Sequence, residues 1–477
     1  MNLGALTGSG ETASVTGFAI DHRKVAPGTV FGAFRGARFN GEDYIADAVS
    51  HGAVAVVSSP EAKVEGAVHI ADAEPRRAFA RLAAKFFAPF PETVVAVTGT
   101  NGKTSNVELV RQLWRMAGHP SASIGTLGVT TADEQVKTGL TTPDIVTFLS
   151  NMAGLERMGI QHVAFEASSH GLSQYRSEGP KIAAGAFTNF TRDHLDYHLT
   201  MEAYFEAKMR LFDDVLEPGA KAVVWTDDPK SDDVIARCKA RGLEVLSVGT
   251  RGETLKLVKR EPSQLGQKLT IEAEGKTHVV TLALIGAYQA YNALTAAGLV
   301  LATGGELKPT LANLARVHPV RGRLERAVIN AAGAPVYVDY AHTPDAIESA
   351  IEALRPHTQG KLIIVLGAGG DRDAGKRPEM GAAAVRLADR VIVTDDNPRS
   401  EDPAQIRAAI MAAAPGATEV AGRREAIRLA ISEAEAGDIV LLAGKGHEQG
   451  QETGGVVAQF DDRVVAREAL REAGFGA

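Results

Sequence analysis

The sequence predicts an α/β protein of three domains, each built around a largely parallel sheet. Apolar strands that end in glycine-rich or polar turns, and then run into helical patterns, recur along the chain, as expected of parallel sheets. The length of 477 residues corresponds to about three domains of ordinary size. Hydrophobic residues make up 45% of the chain, which provides enough apolar surface for a core in each domain.

The first domain is predicted to be a small α/β unit spanning residues 1–88. It contains two strand patterns, GTVFGAF and GAVAVVSS, with a helical pattern between them at residues 42–51. The following segment FFAPFPET, residues 86–93, carries two prolines and is expected to link this domain to the next. The central domain is placed at residues 89–318.

The central domain opens with the run VVAVTGTNGKTS, which predicts a buried strand, a glycine-punctuated turn and a helix. This is a phosphate-binding P-loop in a shortened form, because Val97 stands where the general motif has its first glycine. Gly99 and Gly102 let backbone N–H groups approach phosphates, and the helix N-terminus adds its positive dipole. Lys103 would reach the β- and γ-phosphates and Thr104 would contact Mg²⁺, so the domain is expected to be P-loop ATPase-like and to bind ATP.

Other strand patterns of this domain, HVAFEASS, GAFTNF and KAVVWTDD, also end in polar residues. Glu166 ends the first pattern, and Asp193 and His194 follow the second. A carboxylate and an imidazole beside a P-loop suit Mg²⁺ and its surroundings. Lys208 lies on a helix expected to begin near Met201, where a lysine considered alone is most often solvated.

The third domain, residues 319–477, is expected to be Rossmann-like. It shows one pattern four times, namely an apolar strand, a polar or glycine-rich turn, and a helix. Ligands bind at the carboxyl ends of strands in doubly wound sheets, so the polar residues there are expected to converge on one crevice. These residues are Asp339, His342, Arg372, Asp396, Arg399, Lys445 and Glu448.

Composition excludes several classes of function. A net charge of −7 argues against a nucleic-acid partner, and the single cysteine, Cys238, allows neither an internal disulfide nor a thiolate zinc cluster.

Residues 279–305 carry no charge, but they contain polar side chains, so we interpret them as a strand end, a turn at Gly286 and a buried helix over about residues 289–302. With no signal-peptide pattern and no membrane span, a cytoplasmic protein is expected.

A series of motifs, in this order and spacing, resembles the Mur ligase family over essentially the whole chain. The motifs are TGTNGKT, FEASSHGLSQYR, NFTRDHLDYH, YFEAKMRLF, YNAL, VRGRLE, DYAHTPD, GGDRDAGKRPEM, DDNPR and GKGHE. The resemblance implies an ATP-dependent amide ligase of peptidoglycan assembly, and it is strongest to the members that add diaminopimelate. It also implies that the first domain binds the uridine-nucleotide part of the substrate.

The resemblance implies a role for each residue of the ATP and metal site. ATP would contact Gly99, Thr100, Asn101, Gly102, Lys103, Thr104, Ser105, Asn292, Arg323 and Asp339. Two Mg²⁺ ions would be held by Thr104, Glu166, His194 and Lys208. Lys208 matches a lysine that the family carbamylates to N6-carboxylysine, and a carbamate anion could hold Mg²⁺ where an ammonium would repel it. Lys103, Glu166, His194 and Lys208 would be the catalytic residues.

The other two substrates implied by the resemblance are UDP-MurNAc-L-Ala-D-Glu and meso-diaminopimelate. The first would contact Thr141, Thr142, Ser168, Gln174 and Arg176. The second would contact Arg372, Asp396, Asn397, Pro398, Arg399, Gly444 and Glu448. Arg399 could pair with the distal carboxylate of diaminopimelate, whereas lysine would leave the guanidinium unpaired at a cost of roughly 1–3 kcal/mol.

The reaction implied is phosphorylation of the D-glutamyl carboxylate by ATP, followed by attack of the diaminopimelate amine on the acyl phosphate. A monomer without nucleic-acid or membrane partners is expected. Two alternatives remain open from the sequence: a lysine-adding or folylpolyglutamate-type ligase, and a non-catalytic nucleotide-binding relative that retained the P-loop.

Overall fold

The computed structural model describes residues 1–36, 39–263 and 266–472. At the N-terminus, parallel strands are ordered β1-β2-β3-β4 and carry helices on both sides. The strands are β1 Gly17–Ala19, β2 Thr29–Gly32, β3 Ala53–Ser58 and β4 Val68–Ala71. The helices are α1 Leu3–Thr7, α2 Ile45–Ser50 and α3 Pro75–Phe87. The predicted helix at 42–51 begins as a 3₁₀ turn, Gly41–Tyr44, that continues into α2.

The central sheet is ordered β15-β14-β13-β12-β11-β10-β5-β9-β6-β7-β8 within the described residues. Its strands are β5 Thr93–Thr98, β6 Ser121–Gly125, β7 Gly128–Thr130, β8 Gln135–Val136, β9 His162–Glu166, β10 Ile182–Phe187, β11 Lys221–Trp225, β12 Glu244–Gly249, β13 Leu255–Ser263, β14 Gly266–Ala273 and β15 Lys276–Leu282. Its helices are α4 Lys103–Met116, α5 Ile145–Arg157, α6 Ser169–Ser173, α7 Leu195–His198, α8 Met201–Arg210, α9 Ser231–Ala240, α10 Ala287–Ala302 and α11 Leu307–Leu314.

The C-terminal sheet is ordered β16-β17-β21-β18-β19-β20, parallel except for β16, and a separate hairpin joins β22 and β23. The strands are β16 Glu325–Ile329, β17 Pro335–Asp339, β18 Leu362–Leu366, β19 Arg390–Val393, β20 Thr418–Glu419, β21 Ile439–Ala443, β22 Gly450–Thr453 and β23 Val456–Gln459. The helices are α12 Pro344–Leu354, α13 Lys376–Leu387, α14 Pro403–Met411, α15 Arg423–Glu433 and α16 Asp462–Glu472.

Strand β5 has apolar side chains on both faces because helices cover both sides of the central sheet. Val94 and Ala96 belong to one buried cluster, and Val95 and Val97 belong to the other. This double burial explains why the strand reads as a continuous apolar run rather than an alternating one.

Helix α10 confirms the interpretation of the uncharged segment as a buried helix. Most of its residues are buried, and a Cβ atom at Gly298 would lie 2.8 Å from Val223 Cγ1, so the helix packs closely on the sheet. In the described part of the chain, every helix is too short or too polar to cross a bilayer.

Two features of the fold differ from the sequence prediction. The central sheet continues past its parallel part into antiparallel strands β14 and β15, of which the sequence analysis predicted only the strand end before Gly286, which belongs to β15. After β21 the chain forms the hairpin β22–β23, where a helix was expected to follow directly. Gly454 and Gly455, with φ of 58° and 78°, form the turn of this hairpin, because consecutive glycines suit the left-handed conformation that tight hairpins need.

Candidate active site

A cavity of about 650 Å³ opens where the carboxyl ends of β5, β9 and β10 face the C-terminal domain. After β5 the chain forms β6 and β9 on one side of it and then crosses to β10 on the other side. A switch of this kind leaves a crevice at the strand ends, which is where ligands bind in open α/β sheets. The cavity therefore lies at the position expected of a ligand site.

The turn between β5 and α4 borders this cavity. Gly99 and Gly102 have φ of 144° and 86°, which favour glycine. A Cβ atom at Gly99 would collide with Thr188 Oγ1, and one at Gly102 would collide with Asn292 Oδ1. Both positions therefore need glycine for backbone angle and for space, so the loop backbone itself can approach a bound phosphate.

Two lysines donate hydrogen bonds to this turn. Lys103 Nζ donates to the carbonyl oxygens of Gly99 and Thr100 at 2.9 and 2.8 Å. Lys208 Nζ donates to Gly99 O at 2.6 Å, and Lys208 is only 1% exposed. Burial, followed by the charge of Lys103, lowers the pKa of Lys208 well below its ordinary value, which favours the uncharged amine. Lys208 is therefore not the solvated residue that its helical position alone suggests.

Glu166, at the end of β9, places a buried carboxylate opposite the P-loop. It accepts hydrogen bonds from Thr126 N at 2.7 Å and from Thr126 Oγ1 at 3.1 Å. Burial raises the pKa of Glu166, while Lys103, Thr126 and the hydroxyl of Thr104 act in the opposite direction. The Thr104 hydroxyl and the Glu166 carboxylate, which could share a cation, are thus neighbours.

Asp193 connects the central domain to the C-terminal domain. Its carboxylate lies 3.6 Å from Lys376 Nζ and 3.8 Å from His342 Nε2. On its own domain it lies 3.6 Å from His194 Nε2. Although burial opposes the charge, the facing His194, Lys376 and His342 hold the pKa of this carboxyl below its ordinary value. Burial lowers the pKa of His342 to about 4, so this imidazole is neutral at neutral pH.

The residues predicted to contact the nucleotide also meet across the two domains. Arg323 Nη2 donates to Thr104 Oγ1 at 3.0 Å. Asp339 Oδ2 accepts from the hydroxyl of Tyr288 at 3.2 Å. Asn292 lies against the P-loop turn, as its proximity to Gly102 shows.

Most of the residues predicted for ATP and metal line this one cavity. They are Thr100, Asn101, Gly102, Lys103, Thr104, Ser105, Glu166, His194, Lys208, Asn292, Arg323 and Asp339. Gly99 does not line it, but its carbonyl oxygen holds both lysines. The structure therefore brings together residues that are up to 240 positions apart in the sequence.

The residues predicted for the muramoyl-peptide form a connected group beside the cavity. Thr142 Oγ1 lies 2.9 Å from Ser168 Oγ. Arg176 donates to Thr142 O at 3.0 Å through Nη1 and to Gln174 Oε1 at 2.7 Å through Nη2. Thr141 and Ser168 line the cavity as well, so this group is continuous with the P-loop side.

His170 is influenced by charged side chains of both this group and the C-terminal domain. Burial, then the charges of Arg176 and Arg372, lower the pKa of His170 to about 4. Arg176 belongs to the central domain and Arg372 to the C-terminal one, so both guanidinium groups act on the same imidazole. Asp373, the residue after Arg372, also contacts the central domain, with its Oδ2 3.5 Å from Arg192 Nε.

The residues predicted for the amino-acid substrate lie on the loops after β18, β19 and β21. Asn397 Nδ2 donates to Glu448 Oε2 at 2.7 Å, and the buried Lys445 Nζ donates to Asn397 Oδ1 at 3.0 Å and to Glu448 Oε2 at 3.1 Å. Arg399 Nη1 donates to Gly370 O at 2.7 Å. Burial, then the charge of Asp396, raises the pKa of Glu448.

The hairpin β22–β23 fixes the backbone of Arg399. The Arg399 N–H donates to Glu452 O at 2.9 Å, and the Gly454 N–H donates to Arg399 O at 2.6 Å. Arg399 has φ of 54°, in the left-handed region, and the Glu452 carboxylate lies 3.7 Å from its Nε. A Cβ atom at Gly444 would collide with Asp396 Oδ2, so that glycine also makes room in this group. Pro398 completes the loop between Asn397 and Arg399.

The four C-terminal strand ends that the sequence analysis expected to converge fall into two adjoining groups. The loops after β18, β19 and β21 do meet, whereas Asp339 and His342, after β17, line the cavity beside the P-loop. The two groups touch because β17 and β21 are neighbours in the sheet: the Gly444 N–H donates to Asp339 O at 3.1 Å, and the ring centroids of Tyr340 and His447 are 5.1 Å apart.

Several residues of the cavity were missed by sequence reasoning. Trp225 and Tyr291 line it, and Trp225 ends a strand as Glu166 does, so the same rule could have identified it. Asp345 Oδ2 accepts from Asn101 Nδ2 at 3.0 Å. Lys376 lies inside the motif GGDRDAGKRPEM, but nothing in that motif indicates a partner in another domain.

The chemistry of the donor set fits Mg²⁺ held jointly with phosphates. In the part of the chain that the structure describes, no set of three or more His, Cys, Asp and Glu side chains could hold a metal ion by itself. Mg²⁺ needs no such cage, because it keeps several waters and binds through one or two carboxylates and substrate phosphates. Thr104, Glu166 and His194 line the phosphate side of the cavity and supply this kind of ligand.

Three family models match this chain in succession. The Mur ligase family catalytic domain matches residues 14–114, the Mur ligase middle domain matches 97–300, and the Mur ligase glutamate ligase domain matches 322–446. The chain belongs to the Mur ligase family. This confirms the resemblance and the three-domain α/β fold predicted from the sequence.

Relatives within the Mur ligase family cover nearly the whole chain. The UDP-N-acetylmuramoyl-L-alanyl-D-glutamate–2,6-diaminopimelate ligase of Zymomonas mobilis is 60% identical over 460 residues, which are 96% of this chain and 95% of that protein. The ligase of the same name from Caulobacter vibrioides is 50% identical over 466 residues, again 96% and 95%. A solved structure of a ligase with that name has a TM-score of 0.71 at 32% identity, covering all of both chains. The MurF ligase of Thermotoga maritima, solved with ADP, shares the fold with a TM-score of 0.62 at 21% identity over 96% of each chain.

Proposed function

We propose that this member of the Mur ligase family is the ATP-dependent ligase that joins meso-2,6-diaminopimelate to UDP-MurNAc-L-Ala-D-Glu. The relatives that are 60% and 50% identical carry this activity in their names. One observation in the structure supports it most: a single cavity is lined by P-loop residues, by the buried Lys208 and by Arg323, together with Thr141 and Ser168 of the group predicted for the acceptor.

The proposed reaction has two steps. A D-glutamyl γ-carboxylate oxygen attacks the γ-phosphorus of ATP, and ADP leaves with the electrons of the broken P–O bond. The amine of diaminopimelate then attacks the acyl carbon, loses a proton and expels phosphate as the amide forms. Lys103, at the P-loop, is placed to stabilise negative charge on the transferring phosphoryl group, and Arg176 to orient the acceptor.

The metal and modification assignments belong to the same proposal. Thr104, Glu166, His194 and Lys208, the last as its carbamate, would hold two Mg²⁺ ions. These ions would supply neutralisation of the phosphate charge when bound. Burial lowers the pKa of the Lys208 amine and so favours its neutral form, which supports carbamylation because only a neutral amine can capture CO₂.

The choice of amino acid is assigned to Arg399. Its guanidinium would pair with the distal carboxylate of diaminopimelate, while Asn397 and Glu448 would receive the adjoining amine. L-Lysine lacks that carboxylate, so with lysine bound the Arg399 guanidinium would keep only its contacts with Gly370 O and Glu452 and would gain no partner in the substrate. The side chains of Asn397, Lys445 and Glu448 form a connected polar group, and Arg399 follows Asn397 by two residues on the same loop, which supports this assignment.

The test is ADP release in the presence of ATP, Mg²⁺ and UDP-MurNAc-L-Ala-D-Glu, with either meso-diaminopimelate or L-lysine. We expect ADP release that depends on diaminopimelate. We expect Arg399→Leu to lower the preference for diaminopimelate over lysine in this assay roughly 10- to 100-fold. The matched control is Arg326→Leu, an exposed arginine on β16 of the same domain.

Equal release with lysine would remove the role of Arg399 and favour a lysine-adding ligase. No release with either amino acid would favour a non-catalytic nucleotide-binding relative.

The proposal further includes domain limits of 1–88, 89–318 and 319–477, a uridine-binding role for the first domain, a monomer, and action in the cytoplasm.

A further inference from the structure

Two aromatic side chains line the cavity without any role in the reaction described so far. Trp225 is the last residue of β11, and Tyr291 lies in the second turn of α10. Their rings are stacked, with centroids 4.3 Å apart and planes inclined by 27°. Trp225 is 5% exposed, whereas Tyr291 keeps part of its surface open. The pair is thus a supported aromatic surface facing a ligand cavity.

The pair lies at a defined distance across the sheet from the phosphate turn. Only β10 separates β11 from β5, and neighbouring strands are about 4.8 Å apart, so the end of β11 is about 10 Å from the P-loop strand. A nucleotide with its phosphates on that turn extends its ribose and base away from it. The sheet therefore places Trp225 where the non-phosphate end of such a ligand would lie.

Helix α10 links the two ends of the cavity directly. Tyr291 precedes Asn292, whose Oδ1 lies against Gly102 in the P-loop turn. A residue that borders the phosphate turn and a residue of the aromatic pair are therefore consecutive on one rigid, buried helix. Their spacing is fixed by the fold and does not depend on a loop.

The distribution of charged side chains along the cavity supports the same placement of the ligand. Lys103 and Arg323 lie at the phosphate turn, while Asp227 and Asp228 line the cavity just after Trp225. Carboxylates repel phosphates, but they accept hydrogen bonds from amine and hydroxyl groups, which a nucleobase and a ribose provide. The aromatic end is therefore unsuited to phosphate and suited to the base and sugar.

We propose that Trp225 and Tyr291 form the surface on which the base of ATP packs during binding. This inference rests on the proposed function, in which ATP occupies the cavity. Base–aromatic stacking uses the π face, which every base has, so the pair sets the affinity for a nucleotide over a bare polyphosphate rather than the choice among bases.

The chain offers a direct spectroscopic test, because Trp114 and Trp225 are its two tryptophans. Trp114 is buried on α4, donates to Thr303 Oγ1 at 3.3 Å and does not line the cavity. The variant Trp114→Phe therefore leaves Trp225 as the single tryptophan emitter. Its emission would be titrated with Mg·ATP and with Mg²⁺ plus inorganic triphosphate, while equilibrium dialysis with labelled ATP measures binding independently.

We expect Mg·ATP to change the emission of Trp225 with the dissociation constant found by dialysis. Inorganic triphosphate should compete with labelled ATP and leave the emission unchanged. Tyr291→Leu should weaken ATP binding roughly 10-fold, with the affinity for triphosphate unaltered, and Tyr291→Phe, which keeps the ring, should bind as the unsubstituted chain does.

ATP binding in dialysis with unchanged Trp225 emission, or with wild-type affinity in Tyr291→Leu, would overturn the aromatic assignment and leave the ligase function intact. An equal emission change with triphosphate would overturn it too, because the phosphates alone would then account for the signal. Failure of the unsubstituted chain to bind ATP would overturn the proposed function and this inference together.

Discussion

Lys208 is a buried lysine at the wall of the cavity, with Gly99 O as its hydrogen-bond acceptor and the Tyr204 ring 4.3 Å from its Nζ. An ammonium group in such a place is costly unless a carboxylate compensates it. A second cation, Lys103, lowers the pKa of Lys208 further and outweighs the opposing effect of the Asp193 carboxylate. The local environment thus favours a chemical form of Lys208 other than the cation.

Carbamylation of Lys208 can be tested with ¹³C-labelled CO₂. We expect a carbamate signal in the NMR spectrum of the native protein near pH 8, and its absence in Lys208→Met. Because a depressed pKa is still crossed on acidification, the amine becomes protonated and the signal should fall as the pH is lowered.

The same substitution should reduce diaminopimelate-dependent ADP release on the order of 100-fold, as expected when a group that stabilises transition-state charge is removed. Lys181→Met is the control, since the Lys181 side chain is 80% exposed on the surface of the same domain. A Lys208→Met variant with the activity of the control would contradict the role given to this lysine.

At the scale of elements, helices α15 and α16 are joined by a fully buried ion pair. Arg423 Nη2 lies 2.6 Å from Asp462 Oδ2, both side chains are fully buried, and Arg423 also donates to Ala443 O at 2.8 Å. Ala443 ends β21, immediately before Gly444 of the amino-acid group. The pair therefore positions the end of β21 as well as joining two helices.

Removing one partner of this pair should destabilise the protein strongly. Arg423→Met leaves the Asp462 carboxylate buried and uncompensated, so we expect the free energy of unfolding of its domain to fall by about 3–5 kcal/mol. The double variant Arg423→Met/Asp462→Leu should recover most of that loss, because neither charge then remains buried. Urea denaturation measures both.

The neighbouring Arg424→Met serves as the control for this pair. Its partner is Glu468, and both side chains are more than a third exposed, so a loss below about 1 kcal/mol is expected. If Arg423→Met cost no more than Arg424→Met, Asp462 would have to be compensated by another group.

At the scale of the whole molecule, the central and C-terminal domains meet through side chains that border the cavity. Arg192 Nη1 lies 2.9 Å from Glu379 Oε1 on the outside, and Lys376 pairs with Asp193 further in. The proposed reaction needs ATP from one domain and the amine from the other. These contacts would therefore affect how closely the reacting groups approach each other.

Lys376→Met tests this connection. The Lys376 and Asp193 side chains are each 7% exposed, so the substitution would leave Asp193 with histidines as its remaining facing partners and weaken the contact between the two domains. We expect kcat/KM for diaminopimelate to fall on the order of 100-fold, which corresponds to about 3 kcal/mol, the low end of the effect of breaking a buried pair. Lys361→Met, an exposed lysine of the same domain, is the control. Equal kinetics for the two variants would show that the pair does not contribute to closure.

Local patterns predicted much of this molecule, and long-range contacts account for what they missed. β5, its glycine turn and α4 follow from a dozen consecutive residues, so Lys103 and Thr104 could be assigned from them. The stacking of Trp225 on Tyr291 depends instead on α10 packing over β11, and the pairing of Asp193 with Lys376 depends on how two domains meet. No spacing within the sequence encodes either contact, although residue-by-residue resemblance did identify Lys208.

The left-handed backbone of Arg399 restricts which substitutions evolution could accept at the proposed specificity position. With φ of 54° held by the hairpin, residues branched at Cβ would be strained there, whereas asparagine, aspartate and glycine would fit the backbone. If the amino-acid substrate changed during evolution by substitution of residue 399, few single substitutions there would preserve the conformation of the loop. A library randomised at residue 399 and selected only for folding should be poor in valine, isoleucine and threonine.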